Sequence, residues 1–131
     1  EHLFGDRLLD VAQYAVEKGL KLEADGTSEG FLYHAPCHDS LGGKAIDVME
    51  KLGGFGSVKA VPHCCSEAGT LSVSRPDIAD AMLHRKREAI KEALHESSNA
   101  HTTILTNCPS CIQGLGRNRI HRQWPCSAAP L

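Results

Sequence analysis

Phe31-Leu32-Tyr33-His34-Ala35-Pro36-Cys37 is a short apolar run rich in aromatics, entered from Gly30, stopped by Pro36 and followed at once by a cysteine. A run of that length and composition reads as a buried β-strand. Two more stretches have the same form. Ser57–His63 (SVKAVPH) runs into Cys64-Cys65, and His101–Asn107 (HTTILTN), β-branched and apolar, runs into Cys108-Pro109-Ser110-Cys111. Helical patterns separate the three, which predicts β–α–β crossovers and a parallel sheet. The expected fold class is α/β: a small parallel sheet with flanking helices, its cysteines at the carboxyl ends of the strands.

Outward from these strands, residues 3–19 place Leu8, Leu9, Ala12, Ala15 and Val16 on one helical face and close at Gly19. A polar turn over 23–30 leads to the first strand. A second helix is expected over 42–52, capped by Asp39 or Ser40 and ended by Gly53-Gly54. Ser74-Arg75-Pro76-Asp77 marks a third helix start, with proline in the first turn and an acid three residues after the serine. That helix runs to about Glu96, with Ile78, Met82, Ala89, Ile90, Ala93 and Leu94 toward the core. A short helical turn follows Cys111. From Arg117 the pattern dissolves, so the expected domain spans 1–116 and residues 117–131 form a disordered tail. Because a helical pattern starts at once from Glu1, the chain reads as a piece of something longer.

The whole is 131 residues, 41% hydrophobic and 23% charged, with a formal charge of −2 and a pI near 6.5. That is one domain's worth of chain, long enough to bury a core. The charge argues against a nucleic-acid or anionic-membrane binder. No stretch reaches the roughly eighteen apolar residues of a membrane span, and no signal-peptide pattern is present.

Six cysteines and eight histidines are the unusual feature. A disulfide framework does not suit a domain with regular elements and no export signal. In a parallel sheet all carboxyl ends lie on one edge, and ligands bind in the crevice there. Cys37, Cys64, Cys65, Cys108 and Cys111 therefore converge. Thiolates gathered together repel one another and call for a cation, and soft sulfur selects zinc, copper(I) or iron–sulfur clusters. Zinc uses four ligands in a closed site and leaves one cysteine over. A cubane four-iron cluster also takes four, and five ligands suit a distorted cluster better.

YHAPCH (33–38), VPHCCSEAGTL (61–71) and ILTNCPSC (104–111) together resemble the CCG or cysteine-rich domain found in heterodisulfide reductase and in the iron–sulfur subunit of glycolate oxidase. The wording is most similar to the C-terminal part of fused FAD-linked glycolate or D-lactate dehydrogenases, over Phe31 to Gly116. The resemblance implies an iron–sulfur cluster, 4Fe-4S and non-cubane in form, on Cys37, Cys64, Cys65, Cys108 and Cys111. It implies an electron-transfer role in a flavin-linked 2-hydroxy-acid dehydrogenase. Its partners would be an FAD-binding dehydrogenase domain or subunit and a second iron–sulfur domain. The location implied is cytoplasmic, peripheral on the inner membrane through those partners. No flavin-binding part is visible, so the isolated chain is expected to be inactive as a dehydrogenase. Where the family has glycine after the cysteine pair, this chain has Ser66, with less access to positive φ. Two alternatives stay open: a structural zinc site, and a metal-free dithiol oxidoreductase using Cys108 and Cys111, which needs one thiol of lowered pKa.

Among the neighbours, His38 and His63 each flank a strand-end cysteine and are candidates for ligands or for hydrogen-bonding partners of the sulfurs. His34 reads as a packed core or sheet-face residue, and His84, His95 and His121 as helix-surface or tail positions. Glu67 reads as a solvated loop acid, Gly69 as the enabler of a tight loop, and Cys126 as binding nothing. Gly42-Gly43 offers only a loose match to a phosphate cradle, since GxGxxG is absent. The run His84-Arg85-Lys86-Arg87-Glu88 reads as the wet face of a helix.

Overall fold

The structure, a computed structural model, describes residues 8–23, 29–67, 70–97, 101–117 and 126–130. Four strands, β1 (Glu29–Tyr33), β2 (Val58–Ala60), β3 (His101–Thr106) and β4 (Cys126–Pro130), form one sheet in the order β2-β1-β3-β4. Every pairing is parallel: Tyr33 lies opposite Ala60 on one side and Leu105 on the other, and Leu105 opposite Ala129. The α/β class and the three expected strands hold. The fourth strand falls in the stretch expected to lack structure; its residues carry no apolar alternation of their own and take their place by pairing with β3.

Because successive strand residues face opposite sides, Tyr33 and Leu105 pack with Ala12, Ala45, Val48, Met49 and Leu52. These come from α1 (Val11–Glu17) and α2 (Ala45–Leu52). A one-turn helix, α3 (Leu71–Ser74), precedes α4 (Pro76–Glu96), and α5 (Pro109–Arg117) follows β3. Leu32 and Ile104 turn the other way, toward Ile90 of α4 and Leu115 of α5. The result is a sheet with helices on both faces. No helix among the described residues is long and apolar enough to cross a membrane.

Several local expectations shift. The first helix begins at Val11, capped by Asp10, whose carboxylate accepts the Ala12 N–H at 2.9 Å. Leu8 and Leu9 lie before it and are 73% and 40% exposed, outside the core. The second helix starts at Ala45 with no side-chain cap. Asp39 instead closes the preceding turn, accepting the N–H groups of Leu41 (3.0 Å) and Gly43 (2.7 Å). Gly42 and Gly43 both take positive φ in that turn, which delays the helix, and with its amides so used the turn is no phosphate cradle. At α4 no serine cap forms; Asp77 is held by the Arg75 guanidinium at 2.7 and 3.0 Å.

Candidate metal centre

The order β2-β1-β3 puts the carboxyl ends of three adjacent strands side by side, and the direction of winding reverses between β1 and β3. Each end carries one cysteine element. The ladder continues past the strands, through Val61 N–H to Tyr33 O (2.8 Å) and His34 N–H to Leu105 O (2.9 Å). A polar cluster then ties the loops together. Asn107 donates to Ser40 Oγ (2.9 Å), Ser40 donates to Asp10 Oδ2 (2.5 Å), and the Tyr33 hydroxyl donates to Asn107 (3.3 Å). Burial opposes ionisation of Asp10, but hydrogen bonds from Ser40, the Ala12 N–H and Asn107 hold it below the usual carboxylate range.

The five cysteines form one continuous group, graded from rim to interior. Cys37 is exposed, Cys64 and Cys108 are half-buried, and Cys65 and Cys111 are buried. At the rim the Cys37 and Cys64 sulfurs lie 3.3 Å apart, and the hydrogen bond to Cys64, then burial, raise the Cys37 thiol pKa. Inside, burial raises the Cys111 pKa, aided by hydrogen bonds to Cys65 and Cys108. Cys108 goes the other way. Burial opposes it, but hydrogen bonds from Cys111 and Ser110 at the start of α5 stabilise its thiolate and lower the pKa.

The loop after β2 is shaped for this. Ser66 stands at φ 58° and His63 at φ 72°, so the position where the family has glycine does require the left-handed region. There the Ser66 N–H donates to Cys64 Sγ at 3.3 Å. Helix α5 closes on the loop through Gly114, where a Cβ would lie 2.9 Å from Cys65 O and 2.8 Å from Glu67 Cβ. Arg117, at the end of the same helix, pairs with Glu67 at 3.1 Å. Glu67 is thus a half-buried anchor of the cysteine loop, not a solvated acid.

His34 is the residue that sequence reasoning undervalued. It is buried, as expected of a core residue, but both ring nitrogens lack a hydrogen-bond partner. Its donor atoms and those of Cys65 and Cys111 all lie within 4.8 Å of one another. Two sulfurs bound tetrahedrally to one zinc at about 2.3 Å sit about 3.8 Å apart, so this trio needs only a small contraction to hold an ion. Burial, then the nearby Lys86, push the His34 pKa down to about 4, which leaves the imidazole neutral with a free lone pair. Strand alternation was the available signal: two residues beyond Leu32, His34 points to the same side as Cys65 and Cys111. His38 and His63 are exposed and stand outside the buried trio.

Lys86 is a second correction. Far from lying on a wet face, it is 0% exposed, and its Nζ donates to Val61 O and Pro62 O, each at 2.8 Å. Gly69 and His121 lie outside the described residues, as does the side chain of Cys126. A cleft of about 210 Å³ opens beside Cys108, bounded by Asp10, Thr106, Asn107 and Ile112.

Orphaned imidazole nitrogens, soft sulfur donors and a buried cation nearby fit a thiolate-bound metal or cluster. Cys37, Cys64, Cys65, Cys108 and Cys111 could hold it, with His34 as a nitrogen donor. The family model for the CCG cysteine-rich domain matches residues 31–116. No curated protein and no solved structure matches the chain. The matched segment opens just before the end of β1 and closes within α5, so it encloses every cysteine of the centre, and the chain belongs to the CCG family of cysteine-rich domains.

Proposed function

We propose that this is the iron–sulfur electron-transfer domain of a flavin-linked dehydrogenase acting on a 2-hydroxy acid of the glycolate or D-lactate type. The observation that carries the reading is the convergence of all three cysteine elements at the ends of β2, β1 and β3, inside the family-matched segment. The ligands would be Cys37, Cys64, Cys65, Cys108 and Cys111. When bound, an iron–sulfur cluster supplies one-electron redox chemistry. The protein's share is visible in its own residues. Cys65 and Cys111 keep the inner side dry, while Cys37 and Cys64 present sulfur at the rim, where an electron partner can approach. The flavin would sit on another domain or subunit, with a second iron–sulfur domain beside it. The assembly would be cytoplasmic and held to the inner membrane by those partners, and 1–116 would be its cysteine-rich module.

The test is iron, zinc and sulfide content after strictly anaerobic preparation, with an EPR spectrum of the same sample. Iron and labile sulfide near four each, lost in Cys65→Ser or Cys108→Ser, support the reading. About one zinc per chain without sulfide overturns it. That outcome would favour a structural zinc site, for which the 4.8 Å spacing of His34, Cys65 and Cys111 speaks directly. The lowered Cys108 pKa beside Cys111 is what a dithiol oxidoreductase needs; disulfide reduction by the metal-free chain, lost in Cys108→Ser, would identify it.

A further inference from the structure

Lys86 sits in mid-helix within a run of charged residues, yet it alone of that run is fully buried. Its ammonium meets two neutral carbonyls, those of Val61 and Pro62, on the segment that leads from β2 into Cys64-Cys65. No carboxylate pairs with it among the described residues. Taking an ammonium out of water is costly, and neutral carbonyls recover only part of that cost. A methionine of similar shape would fill the space without the penalty. Burial works against the Lys86 charge, Cys65, Cys111 and Cys64 favour it, and the neutral His34 imidazole lies close enough to feel it. As thiols the three cysteines are neutral and leave the cation uncompensated; as metal-bound thiolates they are its counter-charge.

We propose that Lys86 is the built-in counter-charge of the cysteine centre, a positioning residue whose cation favours the thiolate-bound, more reduced state of the site. The proposal rests on the metal-ligating reading given above and extends it to a residue that touches no metal. A fixed positive charge beside the sulfurs stabilises each added electron, so it raises the reduction potential. It also slows loss of metal, because release requires the thiolates to be reprotonated or left facing one another.

The experiment compares Lys86→Met, Lys86→Gln and Lys86→Arg with the unaltered full chain, all prepared anaerobically. Circular dichroism of each establishes folding. Metal content, the rate of metal loss to excess chelator and, for the iron-loaded site, the midpoint potential are then measured. Lys86→Gln keeps an N–H donor for the loop carbonyls but lacks the charge, whereas Lys86→Arg keeps the charge. The expected result is metal loss at least tenfold faster in the Met and Gln variants. Their potential should also move negative by a tenfold change in the one-electron equilibrium, about 59 mV. Lys86→Arg should retain most of both properties. If Lys86→Gln matches the unaltered chain in loss rate and potential, the charge has no role and the proposal is overturned, whatever Lys86→Met does. An unaltered chain that holds neither iron nor zinc would overturn the ligating reading, and the role of Lys86 with it. A metal-loaded chain indifferent to Lys86→Gln overturns the counter-charge alone.

Discussion

Replacing Gly114 by alanine is the sharpest probe of how the centre is assembled. A Cβ at this position would stand 2.8 Å from Glu67 Cβ, 2.9 Å from Cys65 O and 3.1 Å from Cys65 Cβ. All three obstacles belong to backbone or to the first side-chain carbon, so no flexible end can swing aside. Either α5 retreats from the cysteine loop or the loop deforms. Overpacking of this kind costs about 1–3 kcal/mol, while alanine's helix propensity returns about 1 kcal/mol. The expected net loss is up to about 2 kcal/mol. Because Cys111 lies one turn earlier on the same helix face, its separation from Cys65 grows, and metal binding should weaken along with stability. Gly116 supplies the control on the same helix, since a Cβ there meets nothing within 4 Å. Gly116→Ala should stabilise by up to about 1 kcal/mol. Denaturant unfolding of the reduced, metal-free chain reads both variants, and zinc titration reads the site. A Gly114→Ala protein at least as stable as the unaltered chain would refute the tight loop–helix contact.

Two further outcomes follow from the same loop and its buried neighbour. His34 has a folded pKa of about 4 against an ordinary 6.5, so within that window the unfolded chain binds the proton more tightly. Its stabilising effect is therefore complete above pH 6.5 and is lost as pH falls toward 4, on the order of 3 kcal/mol at 1.36 kcal/mol per pKa unit. His34→Leu should flatten that limb of the metal-free stability profile; parallel profiles for the two proteins would contradict the burial argument. Ser66→Gly should release the left-handed strain at φ 58°, raising stability by about 0.5–1 kcal/mol after the entropy of glycine is subtracted, which denaturant midpoints would show. A loss of stability would mean that the serine side chain contributes more than the strain takes away.

The sheet and the cysteine convergence were legible because both are written in local pattern. β-Branched and aromatic runs end in cysteine, and parallel topology does the rest. Two important side chains were also legible, but only through periodicity applied residue by residue. His34 follows Leu32 by two positions, which puts it on the α4/α5 face. Lys86 follows Ala79 by seven and precedes Ile90 by four, so it lies on the buried stripe of α4 even though its immediate neighbours are charged. Reading the charged run as a block hid it. Gly114, Glu67 and β4 were not legible in this way. Their roles come from contacts between segments far apart in the chain, and no local pattern distinguishes Gly114 from Gly116. Asp39 fell between these cases: it is a good cap, but the positive-φ pair Gly42-Gly43 turned its carboxylate to the preceding turn.

The grading of the centre from interior to rim also bears on what it holds. Strand ladders fix the positions at which Cys37, Cys64 and Cys108 leave the sheet. The Gly114 contact seats α5 against the loop, so the His34, Cys65 and Cys111 donors come together within the core. The rim is held more loosely: Cys64 accepts the Ser66 N–H at 3.3 Å, while Cys37 is exposed and meets Cys64 through the 3.3 Å approach of their sulfurs. A single zinc ion takes four donors, and the buried trio supplies three of them without the rim. A larger cluster needs the rim sulfurs as well. Cys37→Ser therefore separates the two occupants more cleanly than loss of a buried cysteine, which disables both. If the site holds one zinc, Cys37→Ser should leave its stoichiometry near one and its affinity within a few-fold. If the site holds a cluster, the same substitution should cut iron and sulfide together, and undiminished iron and sulfide in that variant would remove Cys37 from the ligand set.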